Sequence, residues 1–196
     1  AEWESRHLGL TLPGEQARLR ERMEALADRL ESCLDVEGLL KLAGEAPPVQ
    51  RGREQRKSSG SEGKRVKRIA VARDEAFCFY YQENLDWLED NGWKLIPFSP
   101  LHDSCLPCAC ISAILLGGGY PERYAKELSE NQAMLRELRM AEKQGIKFLA
   151  ECGGFLYLHE MLEGMDGGSY PMTGLIEGRG YRTERLSRFG YIVLYD

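Results

Sequence analysis

From residue 69 onward, short apolar runs alternate with segments of helical character, and this alternation restricts the fold more than any other feature. Ile69-Ala70-Val71-Ala72 is the first run, Lys94-Leu95-Ile96-Pro97-Phe98 the second, Ile111 to Leu116 the third and Ile146 to Ala150 the fourth. Between them, Tyr80 to Asn91 is predicted helical and closed by Gly92. Tyr124 to Lys143 is predicted helical, with a break at Ser129-Glu130-Asn131, and closed by Gly145. Glycine just past a helix adopts the left-handed conformation that ends it. Gly154 to Leu162 is predicted as a further helix. The stretch from Gly167-Gly168 to Tyr191-Ile192-Val193-Leu194-Tyr195 reads as turns and β pieces. Strands alternating with helices build βαβ units, so the expected class is α/β, a parallel sheet with helices on both faces. Ligands of such sheets sit beyond the carboxyl ends of the strands.

Two glycine-flanked turns fall at that edge. Leu115-Leu116-Gly117-Gly118-Gly119-Tyr120-Pro121-Glu122 follows the third run, and Phe148-Leu149-Ala150-Glu151-Cys152-Gly153-Gly154-Phe155 follows the fourth. A cysteine between a strand and a helix is pushed out of the sheet by the tight turn, and the helix start favours a negatively charged sulfur. Gly153 and Gly154 permit close backbone approach, and the Gly153 N–H is a candidate donor to an oxyanion. Gly117-Gly118-Gly119 leaves backbone amides uncovered by side chains, and Pro121 suits the first turn of a helix. Alone, the glycines make a tight βα turn and Cys152 a small buried thiol. Together, after consecutive strands, they point to acyl transfer on a carboxamide, with glutamine the leading candidate. The candidate set from this pattern is Cys152 as nucleophile, with Gly153 and the Gly117-Gly118-Gly119 loop as oxyanion donors.

A thiol nucleophile ordinarily needs a base. His7 lies near the N-terminus, His102 in a loop at the same sheet edge, and His159 seven positions past Cys152 on the predicted helix, facing away. None is well placed. Cys105, Cys108 and Cys110 form one C-x-x-C-x-C cluster without the second pair a zinc site uses, so no metal site is expected. Gly63-Lys64-Arg65 lacks the upstream glycine and following Ser or Thr of a phosphate-binding loop.

Ahead of the sheet, Leu19, Met23, Leu26, Leu30, Cys33 and Leu34 recur at helical spacing and make one apolar stripe, expected to pack into a core. Asp35 is placed to cap a second helix carrying Leu39, Leu40 and Leu42. Pro47-Pro48 ends this preface. The polar, basic stretch that follows, with Ser58-Ser59-Gly60-Ser61 at its middle, reads as a flexible linker. The boundaries are 1–46, 47–67 and 68–196. The net charge of −5 argues against general nucleic-acid binding. No apolar run approaches the ~20 residues needed to span a bilayer, and no secretory signal is visible. Six cysteines in 196 residues without a signal suit reduced thiols and a cytoplasmic location.

At these residues the chain resembles a known family. The stretch from Ile69 through Asp74, Phe77, Phe79-Tyr80-Tyr81, Glu83-Asn84 and Leu85 is similar to the opening of the glutamine amidotransferase domain of cobyrinate a,c-diamide synthases. Pro97-Phe98-Ser99-Pro100-Leu101, the Leu116 to Glu122 loop and Ala150 to Leu158 fit the same family. Ser5-Arg6-His7-Leu8-Gly9-Leu10 resembles the end of its ATP-binding domain. The resemblance implies a flavodoxin-like, class I-like amidotransferase domain over 68–196, preceded by a helical remnant of the ATP-binding domain over 1–46. It implies glutamine as substrate and a corrinoid acid as partner through the other domain, with ATP and Mg²⁺ used by the full-length enzyme and neither bound by this chain. Cys152 would be the nucleophile, Gly119 and Gly153 would stand at the oxyanion hole, and the Tyr120-Pro121-Glu122 loop would lie near glutamine. For Tyr80, Tyr81 and Asn84, packing and the shaping of an ammonia path both stay open. The family's Gly-His-Glu-Phe-His motif, which supplies its histidine, is expected beyond Tyr191 and is absent, so the chain reads as cut at both ends, with little turnover of its own. Hydrogenobyrinate and nickel-sirohydrochlorin are alternative substrates within the resemblance, and a homodimer is left open. A peptidase- or deglycase-type hydrolase using Glu151 beside the thiol, and a non-catalytic interaction module, are the readings outside it.

Overall fold

Alternate residues of a strand face opposite sides of its sheet, so a strand buried on both sides must be apolar almost throughout. The first strand, β1 (Lys67–Ala72), meets this requirement: Ile69, Val71 and both alanines are buried. The structure, a computed structural model, describes residues 16–47, 67–107 and 110–183. The chain divides into two compact units, Ala1–Glu54 and Gln55–Asp196.

In the larger unit, β1 is followed by α3 (Gln82–Asp90), β2 (Trp93–Phe98), β3 (Ala113–Leu116), a 3-10 turn (Pro121–Tyr124), α4 (Ala125–Glu130), α5 (Gln132–Lys143) and β4 (Lys147–Ala150). The four strands form one parallel sheet in the order β2-β1-β3-β4. On one face, Ile69, Val71 and Leu115 pack with Leu85 of α3. On the other, Ala70, Ala72, Ile114 and Leu116 pack with Leu128 of α4 and Met134, Leu135 and Leu138 of α5. The expected parallel sheet with helices on both faces is what forms. The order turns back between β1 and β3, and the loops leaving these two strands flank the crevice where open α/β sheets bind ligands.

The predicted helix from Tyr124 to Lys143 is broken at Asn131, whose side chain accepts from the Met134 N–H and donates to the carbonyls of Pro100 and Asp103. The amide thus starts α5 and ties it to the loop after β2. The predicted helix from Gly154 to Leu162 is corrected: α6 (Gly153–Tyr157) ends early and β5 (His159–Glu163) follows. The reason is tertiary. Carbonyls of Tyr157, Leu158 and His159 accept from Thr173, Ile176 and Gly174, so amides further along the chain do not continue the helix. β5 pairs with β6 (Ser169–Pro171) and β7 (Ile176–Gly180) in a second, three-stranded sheet, anchored to α5 by Arg139, which donates to Thr173 O and Met172 O.

In the smaller unit, α1 (Leu19–Cys33) and α2 (Val36–Glu45) form as predicted, and Asp35 caps α2 by accepting from the Gly38 N–H at 2.9 Å. The expected burial of the α1 stripe does not occur. Met23, Leu26 and Leu30 all stand exposed, because the two helices alone offer too little surface to cover them. The predicted linker and Tyr191–Tyr195 lie almost wholly outside the described residues, apart from Pro47 and Lys67.

Candidate active site

Cys152 is one of two non-glycine residues with positive φ among the described residues, at φ 50° and ψ −117°. An L-residue is held in such a conformation only by its surroundings, at a cost of about 1–3 kcal/mol. The restraints come from both sides of the turn. The Glu151 N–H donates to Leu116 O at 3.1 Å, extending the register between β3 and β4. The Gly154 N–H donates to Glu151 O and to Gly117 O, at 2.9 and 3.0 Å. The elbow is therefore stitched to the glycine loop, and Cys152 stands exposed at its apex.

The glycine loop lies between this elbow and a strap, residues 76–80, that leaves β1. A Cβ on Gly118 would meet Phe79 Cβ at 3.3 Å on one side and Cys152 Cβ at 3.6 Å on the other. A Cβ on Gly119 would lie 2.0 Å from the Ala76 carbonyl oxygen, and one on Gly153 would come within 3.2 Å of the Gly119 nitrogen. At Gly119 and Gly153 the atoms met include backbone, so neither position has room for a side chain unless the chain itself moves.

The strap also orients the peptide that matters most. The N–H groups of Cys78 and Phe79 both donate to Gly118 O at 3.0 Å. No peptide bond described is cis, and in a trans peptide C=O and N–H point opposite ways. The Gly119 N–H, in the same peptide plane, is turned away from the strap, on the side where Gly153 packs. The first amides of a helix have no intrahelical acceptor. Of those in α6, the Gly154 N–H is spent on Gly117 and Glu151, and the Gly153 N–H is the next in sequence to the thiol. The Gly119 and Gly153 N–H groups thus lie beside the exposed Cys152 thiol, an arrangement of backbone donors that could serve an oxyanion. Tyr120 is buried with its ring edge-on to Phe79, so its side chain braces the loop.

Tyr80, Tyr81 and Asn84 line a groove of about 220 Å³ with Leu115, Leu149 and Glu151, on the α3 side of β3 and β4. Burial pushes the Tyr80 hydroxyl up to about 12. It remains protonated, accepts from the Gly117 N–H at 2.9 Å and donates to Ala72 O. This bridge was not legible in the sequence, where only the Tyr80-Tyr81 pairing ahead of α3 marked the position. Asp74 is marked in the sequence only as part of the stretch that carries the resemblance, with no role attached. It accepts from the Ala76 and Phe77 amides, Ser99 Oγ and the Leu101 amide, and so fixes the strap to the loop after β2.

The histidines are placed as follows. His102 follows β2, at the opposite edge of the sheet from β4, the strand that leads into the elbow. It pairs with Glu75 at 2.9 Å, which raises the imidazole, while Glu75 is lowered by its own backbone hydrogen bond and then by His102. His159 sits beyond the far end of α6, with Nδ1 2.9 Å from Phe155 O. His7 lies outside the described residues. Losing a general base costs about 10²–10⁴-fold, so His102→Ala is expected to leave glutaminase kcat/KM within about twofold, as an assay of glutamate release checks. Cys105 and Cys110 are exposed, and Cys108 lies outside the described residues. No group of three His, Cys, Asp or Glu among the described residues could hold a metal.

A parallel α/β sheet therefore carries a strained cysteine elbow after one strand and, packed against it, a glycine loop from the neighbouring strand. The chain belongs to the family of CobB/CobQ-like glutamine amidotransferase domains, which matches residues 68–193. It is similar to cobyrinate a,c-diamide synthase of Dehalococcoides mccartyi (strain ATCC BAA-2266 / KCTC 15142 / 195), 45% identical over 186 residues, covering 95% of this chain and 40% of the relative. It is similar also to the cobyrinate a,c-diamide synthase of Caldanaerobacter subterraneus subsp. tengcongensis, 44% identical over 187 residues with the same coverage. The chain spans about two fifths of the length of these curated relatives. Among solved structures, a putative peptidase E protein from Listeria monocytogenes EGD-e gives a TM-score of 0.45 at 13% identity, over 56% of this chain and 63% of that one.

Proposed function

We propose that this chain is the glutaminase part of an amidotransferase that converts the a- and c-side-chain carboxylates of cobyrinate to amides in cobalamin biosynthesis. One observation carries the chemistry: the strained Cys152 elbow is packed against Gly118 and Gly119. Names of relatives at 44–45% identity over 95% of the chain support the substrate. In this reading residues 1–46 belong to a preceding ATP-binding domain, 47–67 form a linker, and 68–196 form the glutaminase domain.

Cys152 Sγ attacks the side-chain carbonyl carbon of glutamine, and the carbonyl π electrons move to oxygen. The Gly119 and Gly153 N–H groups stabilise that oxyanion, while Gly118 and the backbone of Tyr120 shape the glutamine site. As the tetrahedral species collapses, the C–N bond breaks and ammonia leaves with the thiol's proton. Water then hydrolyses the thioester, and the net change is glutamine plus water to glutamate plus ammonia. The proton shuttle falls to a group other than His102 and His159. Amide formation on a carboxylate also needs activation, which in this family is the work of ATP and Mg²⁺. Among the described residues no group of three His, Cys, Asp or Glu could hold the metal, and this reading gives the activation step to the ATP-binding domain to which residues 1–46 belong.

The intact protein, supplied with cobyrinate, ATP, Mg²⁺ and glutamine, is expected to form the a,c-diamide and glutamate together, measured by chromatography. Diamide from ammonia but not from glutamine would contradict the glutaminase assignment. Glutamate formed with no change in cobyrinate would contradict the substrate.

A further inference from the structure

The β1–β3 ladder stops at Val71 and Leu115. Just beyond it, the Tyr80 hydroxyl is inserted between the next carbonyl, Ala72 O, to which it donates, and the amide of Gly117, from which it accepts. A phenol oxygen thus stands where a direct bond between strands would otherwise close. It holds the glycine loop away from β1, on the side of the Cys152 elbow. The ring fills the space over Gly117 so closely that a Cβ there would lie 2.4 Å from Tyr80 Cε1. The strap that carries Tyr80 also supplies the Cys78 and Phe79 amides to Gly118 O, and that carbonyl sets the direction of the Gly119 N–H.

We propose that Tyr80 is a positioning residue for acyl transfer: its hydroxyl spaces the glycine loop off β1 and so holds the Gly119 N–H in register with the Cys152 thiol. The role rests on the glutaminase assignment, but the spacer can be tested without it. Removing only the hydroxyl keeps the ring in place and leaves the buried Gly117 N–H without its acceptor. The loop is then free to close on Ala72 O, drawing Gly118 away from the Cys78 and Phe79 amides. A misplacement on the scale of 1 Å at a reacting centre costs about 10²-fold, and loss of one oxyanion donor costs about 10²–10³-fold.

The test is Tyr80→Phe in the intact protein, with three readouts. Glutaminase kcat is expected to fall about 10- to 100-fold with KM changed by less than about threefold. Alkylation of Cys152 by iodoacetamide, which displaces iodide and makes no oxyanion, is expected to stay within about twofold of wild type. Hydrogen exchange at the Cys78 and Phe79 amides is expected to speed up by at least about tenfold, with exchange in α5 unchanged. Wild-type kcat in Tyr80→Phe, or alkylation falling in parallel with hydrolysis, would overturn the positioning role. A wild-type protein that does not hydrolyse glutamine would count against the glutaminase assignment. Exchange at Cys78 and Phe79 then decides on the spacer alone, and unchanged exchange would overturn it.

Discussion

Cys152→Gly is expected to abolish glutamine-dependent activity while making the protein more stable. The two effects have one origin. Cys152 is held at φ 50° and ψ −117°, a conformation open to glycine and costly for a residue with a Cβ. Releasing about 1–3 kcal/mol of strain, offset by the greater backbone entropy glycine loses on folding, leaves a net gain of about 1 kcal/mol. For a domain of this size that raises Tm by roughly 2–4 °C. Hydrolysis meanwhile loses its nucleophile, and glutamate formation is expected to fall by at least about 10⁴-fold. Synthesis from added ammonia is expected to survive, because the thiol has no part in it. Thermal melting with paired glutaminase and ammonia assays checks all three. A Cys152→Gly protein that melts below wild type would show that the elbow is not strained.

Gly154→Ala is expected to destabilise the larger unit strongly. Its Cβ would lie 2.2 Å from Leu116 O, 2.5 Å from Leu116 C and 2.7 Å from Leu116 Cβ. No rotation relieves the clash, because two of these atoms are backbone at the end of an interior strand. Leu116 O already accepts from the Glu151 N–H, and the Gly154 N–H is bonded to Gly117 O, so moving either side breaks the stitching of the elbow. Overpacking of this kind, with hydrogen bonds lost, belongs among the large single-residue effects, about 4 kcal/mol. Tm is expected to drop by roughly 8–16 °C. The measurement is calorimetry on the intact protein, following the transition of this unit. A shift under about 2 °C would mean that the two turns are not packed as described.

The parts of this molecule legible in its sequence are those set by local pattern. β1 is apolar over successive residues because it is buried on both faces, and Asn131 breaks the long helix because its side chain caps the next one. Both glycine turns stood out because they follow apolar runs and lack side chains. What escaped is set by contacts distant in sequence. The end of α6 depends on Thr173, Gly174 and Ile176, and the setting of Gly119 depends on Cys78, Phe79 and Tyr80, some 40 residues earlier. The α1 stripe misled for a related reason: spacing shows that a face is apolar, not what covers it.

The central claim is tested most directly by treating the intact protein with an electrophilic diazoketone analogue of glutamine and locating the adduct by mass spectrometry. One adduct is expected, on Cys152, its formation slowed by excess glutamine and lost in Cys152→Ala. A protein whose Cys152 reacts with iodoacetamide but ignores the analogue, or that carries the adduct on another residue, would contradict the account.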